Sequence, residues 1–195
     1  GGAAAAVSGD LGTVVIDANQ PTMTIASTTN GVSDGSKTND ATIALTFTSS
    51  EATTNFAESD ISVSGGSLSD FTGVSSTLYT ATFTPSGDGA TTVDVGASFT
   101  DATGNANTAA NQFNWEYDGT APTMTISTST VASGGTTNTA AIALTFTSSE
   151  ATSDFVVGDI TATGCNLGTL SPTSTTVYTA TCTVTSDGTP SVVVA

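Results

Sequence analysis

The sequence predicts an all-β protein, two β-sandwich domains arranged end to end. Three observations carry this: a long internal repeat, a period-two alternation of apolar residues, and a polar surface of Thr and Ser in place of charge. The repeat is plain in the letters. Pro21-Thr22-Met23-Thr24-Ile25 returns as Pro122-Thr123-Met124-Thr125-Ile126 at an offset of 101. ALTFTSSEAT starts at Ala44 and again at Ala143, and Tyr79-Thr80-Ala81-Thr82 returns at Tyr178, both at an offset of 99. The loop between the first two blocks is therefore two residues shorter in the second copy. A solenoid unit runs to ~20–50 residues; a period near 100 is a whole domain.

The alternation names the elements. Ile43, Leu45 and Phe47 face one way, with Thr42, Ala44, Thr46 and Thr48 on the other side. Tyr79, Ala81 and Phe83 alternate with Thr80, Thr82 and Thr84, and Phe113, Trp115 and Tyr117 with Asn114 and Glu116. Half-buried antiparallel strands read this way, because successive side chains point to opposite faces. Asp34-Gly35, Gly65-Gly66, Gly87-Asp88-Gly89 and Gly104-Asn105 supply the turns between them. Strands A to G of the first copy are expected near 22–27, 41–48, 59–64, 68–71, 78–84, 91–100 and 112–117. About seven short strands per domain indicate an immunoglobulin-like sandwich.

The second copy starts at Pro122 and runs to Val192-Val193-Val194-Ala195, which matches 93–96 inside strand F, so it has no strand G. At the other end, Val14, Val15, Ile16 and Asp17 align with Trp115, Glu116, Tyr117 and Asp118. Residues 12–17 thus read as a strand G without a sandwich. The expected organisation is 1–20 as that orphan strand plus linker, 21–118 as one immunoglobulin-like domain, and 119–195 as a second lacking its last strand. One explanation is a segment of a longer array. The other is assembly, in which this strand completes the last sandwich of a neighbouring subunit by strand addition.

Charge excludes several partners. Seventeen acids, one basic residue (Lys37) and no His give a formal net charge of −16. Nucleic acid is excluded, since phosphate contacts need cationic donors, and anionic membrane surfaces are disfavoured. No stretch approaches the ~18–20 apolar residues of a membrane-spanning helix. Such a chain repels itself unless cations compensate, and divalent ions are the natural candidates. Roughly a third of the residues are Ser or Thr, with Thr suited to the solvent face of a sheet. That surface points to an extracellular setting and offers hydroxyls for O-linked sugars.

The residues resemble the bacterial Ig-like repeats of large surface adhesins. The resemblance rests on the linker Asp118-Gly119-Thr120-Ala121-Pro122-Thr123 and on Ser50, Glu51, Ala52, Thr53, Phe56, Asp60 and Ile61. Tyr79 and the segment from Phe99 to Asn105 complete it. The first linker, Asp17-Ala18-Asn19-Gln20-Pro21, departs from the pattern. The resemblance implies an extended stalk on the cell surface, often stiffened by Ca²⁺.

Loop placement in an alternating seven-strand sandwich brings Glu51, Asp101, Asn105 and the linker acid Asp17 to one pole, with Asp118 and Glu150 in the corresponding places of the second copy. Ca²⁺ takes six to eight oxygen ligands, so these six residues are the candidate ligands at the domain joints. The competing reading is that Asp, Asn and Gly here only make turns. Asp60 and Asp159 are expected to cap turns, while Asp34 and Asp88 lie at the opposite pole. Cys165 aligns with Gly66 and Cys182 with Phe83; their joint appearance in one copy predicts a disulfide, which stabilises by ~3 kcal/mol for a loop of this size.

Without His and with one basic residue, no nucleophile–base pair or paired acid unique to one repeat suggests an enzyme. The expected function is a structural stalk or filament segment of an extracellular appendage or adhesin. Its partners would be further Ig-like repeats or copies of itself. Two alternatives remain: a module that binds surface glycans or a protein, and a viral surface fibre.

Overall fold

The computed structural model describes residues 16–194. The chain forms two compact units that divide between Thr120 and Ala121, and both are all-β sandwiches. In the first, β1 (Met23–Ser27), β3 (Ile43–Ser49), β6 (Leu78–Pro85) and β5 (Gly66–Gly73) make one sheet in the order β1-β3-β6-β5. The facing sheet has the order β2-β8-β7-β4, from β2 (Ser36–Thr38), β4 (Ile61–Ser64), β7 (Gly89–Val95) and β8 (Phe113–Tyr117).

Alternation dictates which residues meet between the sheets. Ile43, Leu45, Phe47 and Ser49 of β3 are buried, and Tyr79, Ala81 and Phe83 lie beside them on β6. Val93, Val95, Phe113 and Trp115 come from the opposite sheet. Thr46 and Thr80 pair on the outer face, where a β-branched hydroxyl side chain packs well and stays solvated. Thr91, fully buried, donates its hydroxyl to the Trp115 carbonyl oxygen at 2.7 Å.

Three details differ from the sequence expectation. Strand β2 is additional: its Ser-Lys-Thr carries no apolar pattern, yet it pairs in parallel with β8, Ser36 opposite Trp115 and Thr38 opposite Tyr117. Strand C starts at Ile61 because Glu58–Asp60 form a 3-10 turn, with Asp60 accepting from the Ala57 N–H at 2.9 Å. Strand F stops at Val95, because the buried Asn107 side chain takes over the local backbone. It accepts from Phe99 N–H at 3.0 Å and donates to the Gly96 and Thr108 carbonyls at 2.8 and 2.9 Å. Of the expected orphan strand, residues 12–15 lie outside the described residues, and Ile16 and Asp17 are not in a strand.

In the second unit, β9 (Met124–Thr128), β10 (Ala141–Ser148) and β14 (Val177–Val184) form a sheet with β12 (Cys165–Leu167) and β13 (Ser171–Pro172), both paired to β14. Strands β11 (Ile160–Thr163) and β15 (Ser191–Val194) form the opposite sheet. Asp159 caps its turn as Asp60 does, accepting from Val156 N–H at 2.9 Å. Among the described residues β15 pairs only with β11, where its counterpart β7 pairs with β4 and β8.

Cys165 and Cys182 form a disulfide across β12 and β14, Cα to Cα 5.6 Å. The first unit shows why both positions differ together. A Cβ on Gly66 would stand 2.5 Å from the Phe83 ring and 2.4 Å from the Thr84 carbonyl oxygen. With Cys182 in place of Phe83 the ring contact is gone, and the remaining contact, with a backbone carbonyl, is one that the backbone of the second unit must relieve.

Candidate functional site

The structure gathers acids at one pole of the first unit. Residues 16–22 pass between the β3–β4 loop and the loop that follows β7. Thr22 and Ser50 fix the first side: Thr22 N–H donates to Ser50 Oγ at 2.9 Å, and Ser50 N–H to the Thr22 carbonyl at 3.0 Å. Thr108 N–H to the Pro21 carbonyl, 3.0 Å, fixes the second. Glu51 rides on one loop, Asp101 on the other, and Asp17 on the passing segment. One carboxylate oxygen from each lies within 4.8 Å of the others.

Asp101 is the organiser. Its Oδ1 accepts from the backbone N–H of Thr103 (2.8 Å), Gly104 (2.7 Å) and Asn105 (2.9 Å), and from the Thr103 hydroxyl (2.9 Å). Its Oδ2 accepts from Asn105 Nδ2 at 2.9 Å. Gly104 closes this turn at φ +97°, in the left-handed region where a side chain is strained. Burial alone would push the Asp101 carboxyl up, but the hydrogen bonds from Asn105 and Thr103 outweigh it and hold it below the usual carboxylate range. Asn105 Nδ2 also reaches the Asp17 carbonyl at 3.2 Å, and the Thr103 hydroxyl reaches Asp17 Oδ2 at 3.4 Å. Glu51 feels the cost of the gathering: desolvation first, then the charges of Asp17 and Asp101, raise its pKa.

The donor set is all oxygen. Asp101 Oδ1 is saturated by its turn, leaving Oδ2 with the carboxylates of Glu51 and Asp17 to face a cation. Hard oxygen ligands without His or Cys fit Ca²⁺ or Mg²⁺ and not zinc. The raised Glu51 marks a spot where a positive charge would be favourable.

The other expected ligands sit elsewhere. Asp118 belongs to the first unit, where its carboxylate meets Lys37 Nζ at 2.9 Å, with Glu116 at 3.2 Å from the same nitrogen. Asp118 and then Glu116, as hydrogen-bond acceptors, raise the Lys37 pKa. Glu150 belongs to the second unit and is half-buried, its N–H at 3.4 Å from Ser148 Oγ. Asp88, at the pole opposite Asp17, accepts from the Gly119 N–H at 2.7 Å and from the Thr120 hydroxyl. Sequence reading missed Thr103 and Lys37 as partners of the linker acids. The A-T-G-N run after Asp101 was the available sign for Thr103.

The profile of the bacterial Ig-like domain family matches residues 17–117 and again 118–195, so both sandwiches are accounted for. The chain belongs to the bacterial Ig-like domain family. Comparison with curated proteins finds no match. Among solved structures, Yersinia pseudotuberculosis InvD aligns over 87% of this chain and 51% of its own, at 19% identity and a TM-score of 0.39. The Yersinia pseudotuberculosis adhesin InvE aligns over 83% of this chain and 51% of its own, at 17% identity and a TM-score of 0.34. The chain thus spans about half the length of each of these proteins.

Proposed function

We propose that the chain is a spacer segment of an extracellular surface adhesin, acting mechanically and not as a catalyst. The observation that carries this reading is the tethering of the chain leaving the first sandwich. Gly119 and Thr120 are held by Asp88, and Asp118 by Lys37 and by its N–H to the Thr38 carbonyl at 3.0 Å. Bonds there restrict the exit direction of the chain, which a spacer needs and a loop-based binder does not. The disulfide fits an oxidising, extracellular compartment. Among the described residues no helix is long and apolar enough to cross a membrane. The partners on this reading are further Ig-like repeats, joined in series.

At the opposite pole, Asp17, Glu51 and Asp101 are proposed to hold a calcium ion, which would tie the incoming segment to both loops. The test is small-angle scattering and differential scanning calorimetry of the 195-residue chain, with Ca²⁺ and with EGTA. A rigid particle whose first-unit melting rises by about 5 °C or more with Ca²⁺ is expected. Indifference to Ca²⁺ removes the metal from the proposal. A freely jointed particle with Asp88 intact removes the spacer reading.

A further inference from the structure

Beyond the spacing role, we propose that the second unit carries a docking groove for an aromatic side chain of a partner polypeptide. The groove has a volume of about 1000 Å³, and its apolar walls are Phe155, Val156, Val157, Leu167, Leu170 and Tyr178. The first unit shows what fits there. Phe71 occupies the aligned position of its own sandwich, stacked on Tyr79 (5.8 Å, 10° between planes) and edge-on to Phe56 (5.7 Å, 69°). The two walls of that slot survive unchanged in the second unit. Phe155 and Tyr178 stand 5.0 Å apart at 74°, against 4.9 Å and 76° for Phe56 and Tyr79. The third ring is missing, since Leu170 stands where the first unit has Phe71.

The rim has changed in the same direction. Val156 and Val157 replace Ala57 and Glu58, and remain 56% and 51% exposed. Relative to the first unit, this face has lost a ring and gained two exposed aliphatic side chains, while Asp154 in place of Asn55 keeps a carboxylate beside it although Glu58 is gone. A continuous β5 lies along this face in the first unit. In the second, β12 and β13 are separate and form the sheet edge beside the groove, which leaves backbone groups for an extended segment to pair with.

Charge identifies the occupant. The second unit carries four acids, Glu150, Asp154, Asp159 and Asp187, and no Lys or Arg, which disfavours a second copy of itself and favours a basic segment. The exposed Asp154 and the half-buried Asp159 flank the aromatic walls in sequence. The occupant is therefore a segment of another protein that presents Phe or Tyr next to Lys or Arg in an extended conformation.

The probe is a fluorescein-labelled peptide, Ser-Leu-Ser-Lys-Phe-Thr-Lys, titrated with the disulfide-intact 195-residue chain and followed by anisotropy. Binding with a Kd of about 10–100 µM is expected, with shifts of the Val156, Val157 and Leu170 methyl resonances. Leu170→Phe restores the ring that the first unit tolerates, so the fold is retained while affinity falls by about tenfold or more. Replacing the peptide Phe with Ala gives the same loss. The proposal is overturned by no binding up to about 1 mM, by equal binding of the Ala peptide, or by shifts confined to other faces. Self-association of the chain that Leu170→Phe abolishes would overturn it too, by making a second copy the occupant.

Discussion

Two sandwiches written from nearly the same letters hold themselves together differently. In the first unit the centre is aromatic. Phe56 touches Phe47, Phe71, Tyr79 and Phe99, while Phe83 meets Trp115 edge-on at 4.7 Å. In the second, among the described residues, Phe155 has Phe146 and Tyr178 as its ring neighbours, and a cystine stands at the site of Phe83. Burial follows: Ile25 is 9% exposed, and Ile126, its counterpart, 37%. Dispersion and apolar burial stabilise the first unit directly. The second relies more on a crosslink that restricts its unfolded chain. The same fold thus tolerates a loss of packing on one side when covalent constraint is added.

The comparison can be broken in four ways, the largest effect first. Phe83→Ala removes a fully buried ring, so calorimetry should show the first unit destabilised by about 3–5 kcal/mol and the second unmoved. Reduction of the disulfide should do the opposite, costing the second unit about 3 kcal/mol and leaving the first transition in place. Equal shifts of both transitions in either experiment would mean that the units do not melt independently. Third, Gly66→Cys alone overpacks against Phe83 and should cost about 1–3 kcal/mol. Combined with Phe83→Cys it should be oxidised by air or oxidised glutathione to a cystine, detected by mass spectrometry as the loss of two hydrogen atoms. Failure to crosslink would show that backbone geometry, not only the ring, separates the units.

The smallest expected effect is electrostatic and confined to the first unit. Glu51 has its pKa raised in the fold. The folded state therefore binds the proton more tightly than the unfolded state, and stability falls as pH rises from about 4 through the folded value. Asp101 has its pKa lowered. Its contribution is present above about 4 and is lost as pH falls further. In EGTA the first unit should be most stable on the acid side of neutrality and weaken again in stronger acid. Glu51→Gln should flatten the upper limb, and Ca²⁺ should do the same to the wild type. A Ca²⁺ effect that persists undiminished in Glu51→Gln would exclude Glu51 as a ligand.

Much of this was legible in the letters, for identifiable reasons. Period-two alternation is strong wherever one face is buried, so β1, β3, β6 and β8 fall where the pattern puts them. The disulfide followed from two residues that changed together. Strand β2 was not legible, because Ser-Lys-Thr carries no burial pattern and is ordered only by the edge of β8. The end of β7 was hidden for a related reason: Asn107 competes with the ladder through its side chain. At the acidic pole, loop topology gave Glu51 and Asp101 as neighbours. The four donors on Asp101 Oδ1 depend on a turn whose geometry no spacing rule specifies. The groove was least legible, since Leu170 for Phe71 is a conservative change until the surviving walls are measured.

The parallel pairing of β2 with β8 has a consequence for a chain under tension. Force that reaches β2 from the N-terminal side, once β1 has left β3, and β8 from beyond Tyr117 pulls the two strands in opposite senses along their length. Their hydrogen bonds are then loaded in shear, all together, instead of being peeled apart one at a time. The Lys37–Asp118 contact and the Asp118 N–H to the Thr38 carbonyl sit at the end of that interface where the load enters. Stretched from its ends, the sheet that holds β8 gives way at this edge only when the short patch breaks as a block, whereas β1, in the other sheet, is held by its own ladder to β3.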